Sequence, residues 1–155
     1  MFSLIALCFG MSAISLGQGF SNVGYAGANF LKIPVEPVGA ALGNSLVASA
    51  EGVTGLYWNP GAIAFTEGTE IALSRVNWLS DTRVSFFGIA QKVGPGVLGL
   101  SVTALTMDDM EITTETSPNG TGTYFSSGSY AIGLSCGVKI IDRFSFGGTV
   151  KYVYE

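Results

Sequence analysis

The chain has 155 residues, enough for one ordinary domain, but only 12% of them are charged, about half the ~25% usual in soluble domains. Its mean hydropathy of +0.46 argues for partly apolar surroundings, yet beyond the N-terminal segment no uninterrupted apolar run approaches the ~20 residues of a spanning helix. A net charge of −4 offers no basic face to nucleic acid, and 22 glycines spread along the chain suit strands joined by tight turns.

The opening "MFSLIALCFGMSAISLGQG" reads as an export signal over residues 1–17. An apolar stretch from Phe2 to about Ile14 precedes Ser15-Leu16-Gly17, small residues placed as at a signal-peptidase site, so the mature chain is expected to begin at Gln18. A positive leader is missing, since no Lys or Arg precedes Lys32. The competing reading is a buried N-terminal helix.

Residues 18–66 are rich in Gly, Ala, Asn and Pro and lack two-residue alternation, which predicts irregular backbone with short helical pieces. One piece is expected over Ala40 to Ala50. Another is expected to start in "GLYWNPGAIAF", with Asn59 as N-cap and Pro60 at the first helical position, where a missing N–H costs nothing. Leu56, Tyr57 and Trp58, just before the cap, would anchor that helix against an apolar wall, and Gly61 would allow close approach.

From residue 67 onward the pattern changes to alternating segments near the length of a tilted membrane strand. Strands are predicted at about 69–79, 83–93, 97–107, 124–140 and 144–155. In the third, Leu98, Leu100, Val102 and Ala104 oppose Gly99, Ser101 and Thr103. In the fourth, Tyr130, Ile132, Leu134 and Cys136 oppose Ala131, Gly133, Ser135 and Gly137; the fifth opposes Phe144, Phe146, Val150 and Tyr152 to Ser145, Gly147, Thr149 and Lys151. The first two strands alternate less cleanly. Alternation alone also suits a soluble sandwich. The connections separate the two: Gly94-Pro95-Gly96 and Ile141-Asp142-Arg143 are tight and would lie on one side, whereas Asp108 to Thr123 is long and would lie on the other, as in outer-membrane barrels. Trp78 and Tyr152 or Tyr154 fall near strand ends, where girdle aromatics belong.

Chemistry-like motifs are weak. Gly94 to Gly99 matches a dinucleotide fingerprint, but a strand pattern follows it in place of a helix. Gly133-Leu134-Ser135-Cys136-Gly137 matches a nucleophile elbow, which needs a histidine base, and the chain has no His. Asp108, Asp109, Glu111 and Glu115 make the long connection acidic with no base nearby. They read as a solvated, partner-facing loop, without the defined turn and six to eight oxygens that calcium takes. No enzyme activity, cofactor or metal is expected.

The stretches "AGANFLKIPVEPVGAALGNSLVASAEGVTGLYWNPGAIA" (Ala26 to Ala64), "NWLSD" (Asn77 to Asp81) and "FGGTVKYVYE" (Phe146 to Glu155) resemble the PorV/PorQ family, relatives of the FadL-type outer-membrane barrels. The resemblance implies an all-β fold: a transmembrane antiparallel β-barrel in the bacterial outer membrane, with an N-terminal small-residue plug or hatch inside it. It implies that Asn59 and Pro60 sit in the lumen, and that 18–66 is the hatch and 67–155 the first barrel strands. Because family barrels have more strands than the five read here, the sequence is expected to be the front part of a longer protein. By resemblance the protein is a type IX secretion component whose partners are outer-membrane lipid, the C-terminal domains of secreted cargo and other secretion proteins. The alternative is a FadL-like channel for hydrophobic small molecules; a self-associating soluble β-protein is the third reading.

Overall fold

A computed structural model of the chain describes residues 27–79, 81–114 and 120–155. The export-signal reading of 1–17 lies outside them, as does Glu115.

Five long strands form one antiparallel meander: β1 (Thr69–Asn77), β2 (Thr82–Val93), β3 (Gly96–Met107), β6 (Gly128–Ile141) and β7 (Phe144–Tyr154), in the order β1-β2-β3-β6-β7. A small second sheet, β4 (Met110–Glu111) with β5 (Tyr124–Phe125), projects from the connection between β3 and β6. The all-β, antiparallel part of the expected fold is therefore what the chain forms, and the helices among the described residues are few and short. The five strands make an open sheet, not a closed barrel, with β1 and β7 as its two edges.

Turn chemistry fixes the meander. Gly94, at φ 59, and Pro95 join β2 to β3 through a two-residue hairpin whose pairing resumes at Val93↔Gly96, the conformation a glycine adopts without cost. Asp142 and Arg143 join β6 to β7 at the same end of the sheet. Here the exposed Asp142 carboxyl is held below the usual carboxylate range by its hydrogen bond to Lys139 and the charge of that ammonium, 2.8 Å away.

The predicted fourth strand, 124–140, is corrected at its start. Tyr124 and Phe125 belong to the β4–β5 hairpin, and the ladder to β3 resumes only at Gly128. The Met107 N–H still reaches the Ser127 carbonyl at 3.2 Å, so pairing continues past the end of β3 before the β4–β5 ladder begins.

The described part of the N-terminal segment, residues 27–66, lies across one face of the sheet. It contains 3-10 turns at Asn29–Lys32, Gly52–Thr54 and Ala62–Phe65 and two short helices, α1 (Pro37–Ala41) and α2 (Gly55–Trp58). The helix expected over 40–50 is thus shorter and earlier, starting at Pro37, which favours a first helical position. The core lies between this segment and the sheet: Val35, Val53, Leu56 and Ile63 pack on Val84, Phe86, Ala90 and Val97. Burying Leu56 and Ile63, 1% and 0% exposed, contributes ~1.5–3 kcal/mol each.

Candidate functional site: a hatch seated on a small-residue face

Apart from Val84, Phe86 and Val97 of the core, the sheet face beneath the hatch is lined by small and polar residues. Cross-strand rows there read Ala72–Gly88–Ser101–Gly133–Lys151 and Glu70–Ala90–Gly99–Ser135–Thr149. The glycines are recesses that the hatch fills. A Cβ on Gly99 would stand 2.2 Å from Leu56 Cδ2, and one on Gly88 3.1 Å from Leu56 Cδ1. A Cβ on Gly137 would meet Ile63 Cγ1 at 2.7 Å, and one on Gly147 would meet the Pro60 carbonyl oxygen at 2.3 Å. Backbone therefore rests on backbone at Pro60–Gly61, and Leu56 is keyed between two strands.

Polar contacts complete the seat. The Glu70 carboxylate on β1 accepts the Val53 N–H at 2.9 Å, Ser145 Oγ donates to the Gly61 carbonyl at 2.8 Å, and Ser74 Oγ donates to the Val35 carbonyl. Ser135 and Thr149 share a 2.7 Å hydroxyl contact beneath them. Each buried backbone group met this way avoids a desolvation penalty of ~1–3 kcal/mol.

Asn59 does not begin a helix. It ends α2, donating its N–H to the Gly55 carbonyl at 2.9 Å, and the next 3-10 turn starts only at Ala62. The reason is local: its carboxamide oxygen accepts the Gly61 N–H at 3.0 Å across Pro60, its carbonyl accepts the Ala62 N–H at 2.9 Å, and its Nδ2 donates to the Val47 carbonyl at 3.1 Å. Asn59 thus joins two helical turns and ties them to the loop at Val47. Leu56, Tyr57 and Trp58 lie within α2 rather than ahead of a helix.

The anchors divide their work. Leu56 enters the sheet, while Tyr57 stacks edge-on to Phe86 of β2, with ring centroids 6.0 Å apart. Its hydroxyl lies between the Leu31 and Ile33 carbonyls, 2.6 and 2.8 Å away, which share its single proton as acceptors, and Lys151 Nζ lies 5.6 Å from its ring centre. Burial pushes the Tyr57 phenol up to about 12. Trp58 packs over Gly39 of α1 and donates its indole N–H to Glu36 at 2.5 Å. Gly61 is buried against Ser145.

The acidic connection is not a set of free carboxylates. Asp108 forms a two-pronged ion pair with Arg83 at the start of β2, and Glu111 in β4 accepts the Gly122 N–H at 2.9 Å. Asp109 is exposed between them. Among the described residues no group of acidic, His or Cys side chains is arranged to hold a metal ion. Gly133 to Gly137 is strand throughout, and Gly94 to Gly99 is a hairpin turn leading into β3, so neither motif has the helix its chemistry requires.

The opposite face of the sheet is apolar and uncovered. Leu73, Phe87, Val102, Ile132 and Tyr152 form one cross-strand row, and Ile71, Ile89, Leu100, Leu134 and Val150 form the next. Leu73 is 79% exposed, Leu134 52% and Tyr152 65%. Along β6, from Tyr130 to Ile140, this face extends roughly 34 Å at ~3.4 Å per residue. Trp78 follows the end of β1 and is 42% exposed, and Tyr154 stacks on Tyr130 at 5.0 Å. Tyr152 stands one row deeper, within the apolar band.

Glu70, Ser74, Ser145 and Glu36 also hold the hatch, and sequence reasoning did not single them out. The signal for them was the run of small inward residues, which shows a place for close approach without showing what approaches. In comparison with known proteins, no family model, no curated protein and no solved structure matches the chain.

Proposed function

We propose that the chain forms wall strands and hatch of an outer-membrane β-barrel of PorV type, a non-enzymatic carrier that binds the C-terminal signal domain of exported cargo. One observation carries the membrane part: the apolar face of the sheet is bare while the small and polar face is capped, the inverse of a sheet folded in water. Lipid supplies the missing cover on the apolar side. In lipid the outer backbone edges of β1 and β7 must also be paired, since an unpaired N–H or C=O costs several kcal/mol there. The cargo part rests on the resemblance of Ala26 to Ala64, of which residues 27–64 pack onto the sheet as the hatch.

A second reading, a FadL-like channel for hydrophobic molecules, is favoured by a cleft of about 240 Å³ between hatch and wall, lined by Val35, Tyr57, Ala72 and Phe86 among others. Deletion of the gene separates the two. The carrier reading expects type IX cargo to accumulate in the periplasm with uncleaved C-terminal domains. Normal cargo export with lost growth on a hydrophobic substrate would replace it with the channel.

A further inference from the structure

Arg75 occupies an unusual place on the apolar face. It is exposed on β1, in the cross-strand row Arg75–Ser85–Ala104–Tyr130–Tyr154 that borders the apolar row Leu73–Phe87–Val102–Ile132–Tyr152. Tyr130 and Tyr154 stack in that same row, 5.0 Å apart, so the row has the aromatic character of a membrane–water boundary. It lies toward the end of the sheet that bears the long β3–β6 connection. The neighbouring cation, Arg83, is already neutralised by Asp108, whereas among the described residues no carboxylate pairs with Arg75.

Arg75 and Ser85 stand at a groove of about 410 Å³ on this face, whose apolar walls are Leu73, Phe87, Val102 and Ala104. A cation at the boundary and a hydrocarbon-lined groove beneath it match an amphiphile with an anionic head and an acyl tail. The guanidinium favours phosphate, whose oxygens accept paired N–H bonds from its planar fork, and the Ser85 hydroxyl adds a donor beside it.

We propose that Arg75 and Ser85 bind the phosphate of a membrane lipid in the outward-facing leaflet, with one acyl chain lying along Leu73, Phe87 and Val102. This rests on the membrane reading given above. The occupant is the lipid, not free phosphate, because the groove is mostly apolar and phosphate alone would leave it empty.

The test is native mass spectrometry of the full-length protein released from micelles containing either dilauroyl phosphatidic acid or dilauroylglycerol, which differ only in the phosphate. The expected result is about fivefold greater retention of phosphatidic acid, the worth of one cation near a membrane surface. Arg75→Gln should abolish that preference while the barrel still shifts on gels with heating, and excess inorganic phosphate should not displace the lipid. Equal retention of the two lipids, an unchanged preference in Arg75→Gln, or displacement by inorganic phosphate alone would overturn the site. If the wild-type protein stays soluble without detergent, the membrane reading itself fails, an outcome distinct from entry into micelles without lipid preference.

Discussion

Leu56 Cδ2 lies 2.2 Å from the position a Cβ would take on Gly99, so the leucine occupies the volume the glycine gives up. The two residues belong to the hatch and to β3, and their fit couples the segment to the wall. Gly99→Ala should destabilise hatch docking by ~1–3 kcal/mol through overpacking. Leu56→Ala should cost ~2–5 kcal/mol through the cavity it leaves. Combined, the two should cost less than their sum, because the new methyl enters the emptied volume, with a coupling of ~0.5–3 kcal/mol. Urea-induced release followed by Trp58 fluorescence, in a Trp78→Phe background, measures each; strict additivity would show that the contact does not couple hatch and wall.

Adjacent glycines on β7 provide a sharper comparison. A Cβ on Gly147 would stand 2.3 Å from the Pro60 carbonyl oxygen, whereas a Cβ on Gly148 would meet nothing within 4 Å. Gly147→Ala should lift the Pro60–Gly61 backbone and raise protease cleavage between residues 50 and 66, and Gly148→Ala should leave the digest unchanged. Equal effects would mean that strand propensity, not hatch contact, sets the requirement for glycine.

Asn59→Ala removes the acceptor for the Gly61 N–H and the donor to the Val47 carbonyl. The expected loss is ~0.5–2 kcal/mol, the range of a side-chain cap, with strand pairing intact. Limited proteolysis should show faster cleavage near Val47 and Gly61, with the strand signal in circular dichroism unchanged.

The strands were legible because two-residue alternation is a local signal, and in β3, β6 and β7 only one parity is apolar. In β2 both parities are large: Val84 and Phe86 face the hatch, while Phe87 and Ile89 face outward. That is why its alternation reads less cleanly. The hatch was legible as irregular, small-residue backbone, but not in detail. Asn59-Pro60 has the local chemistry of a helix start, yet packing of Leu56 and Ile63 on the sheet puts a helical turn on either side of it. The Glu70–Val53 and Ser145–Gly61 contacts join residues distant in sequence, and no local pattern announces them. Tyr124 and Phe125 alternate like strand residues because they are strand residues, of a different sheet.

Tyr57 makes hatch docking sensitive to alkali. Its phenol is pushed from 10.0 up to about 12 by burial, so between those values the released chain has lost a proton that the docked chain keeps. Stability from this group is complete below about pH 10 and falls as pH rises toward 12. Hatch release should therefore grow easier over that interval in the wild type, with a weaker dependence in Tyr57→Phe. Identical pH profiles would remove Tyr57 as the cause.

The most direct test of the inverted sheet is a scan of single spin labels along β6 of the full-length protein in bilayers, with the native cysteines replaced. Relaxation by oxygen, which concentrates in lipid, and by a water-soluble nickel chelate is read at each position from Tyr130 to Cys136. Labels at 130, 132, 134 and 136 should respond to oxygen, and labels at 131, 133 and 135, under the hatch, should respond to neither agent strongly. Nickel access at the even positions, or oxygen access at the odd ones, would contradict the assignment of the apolar face to lipid.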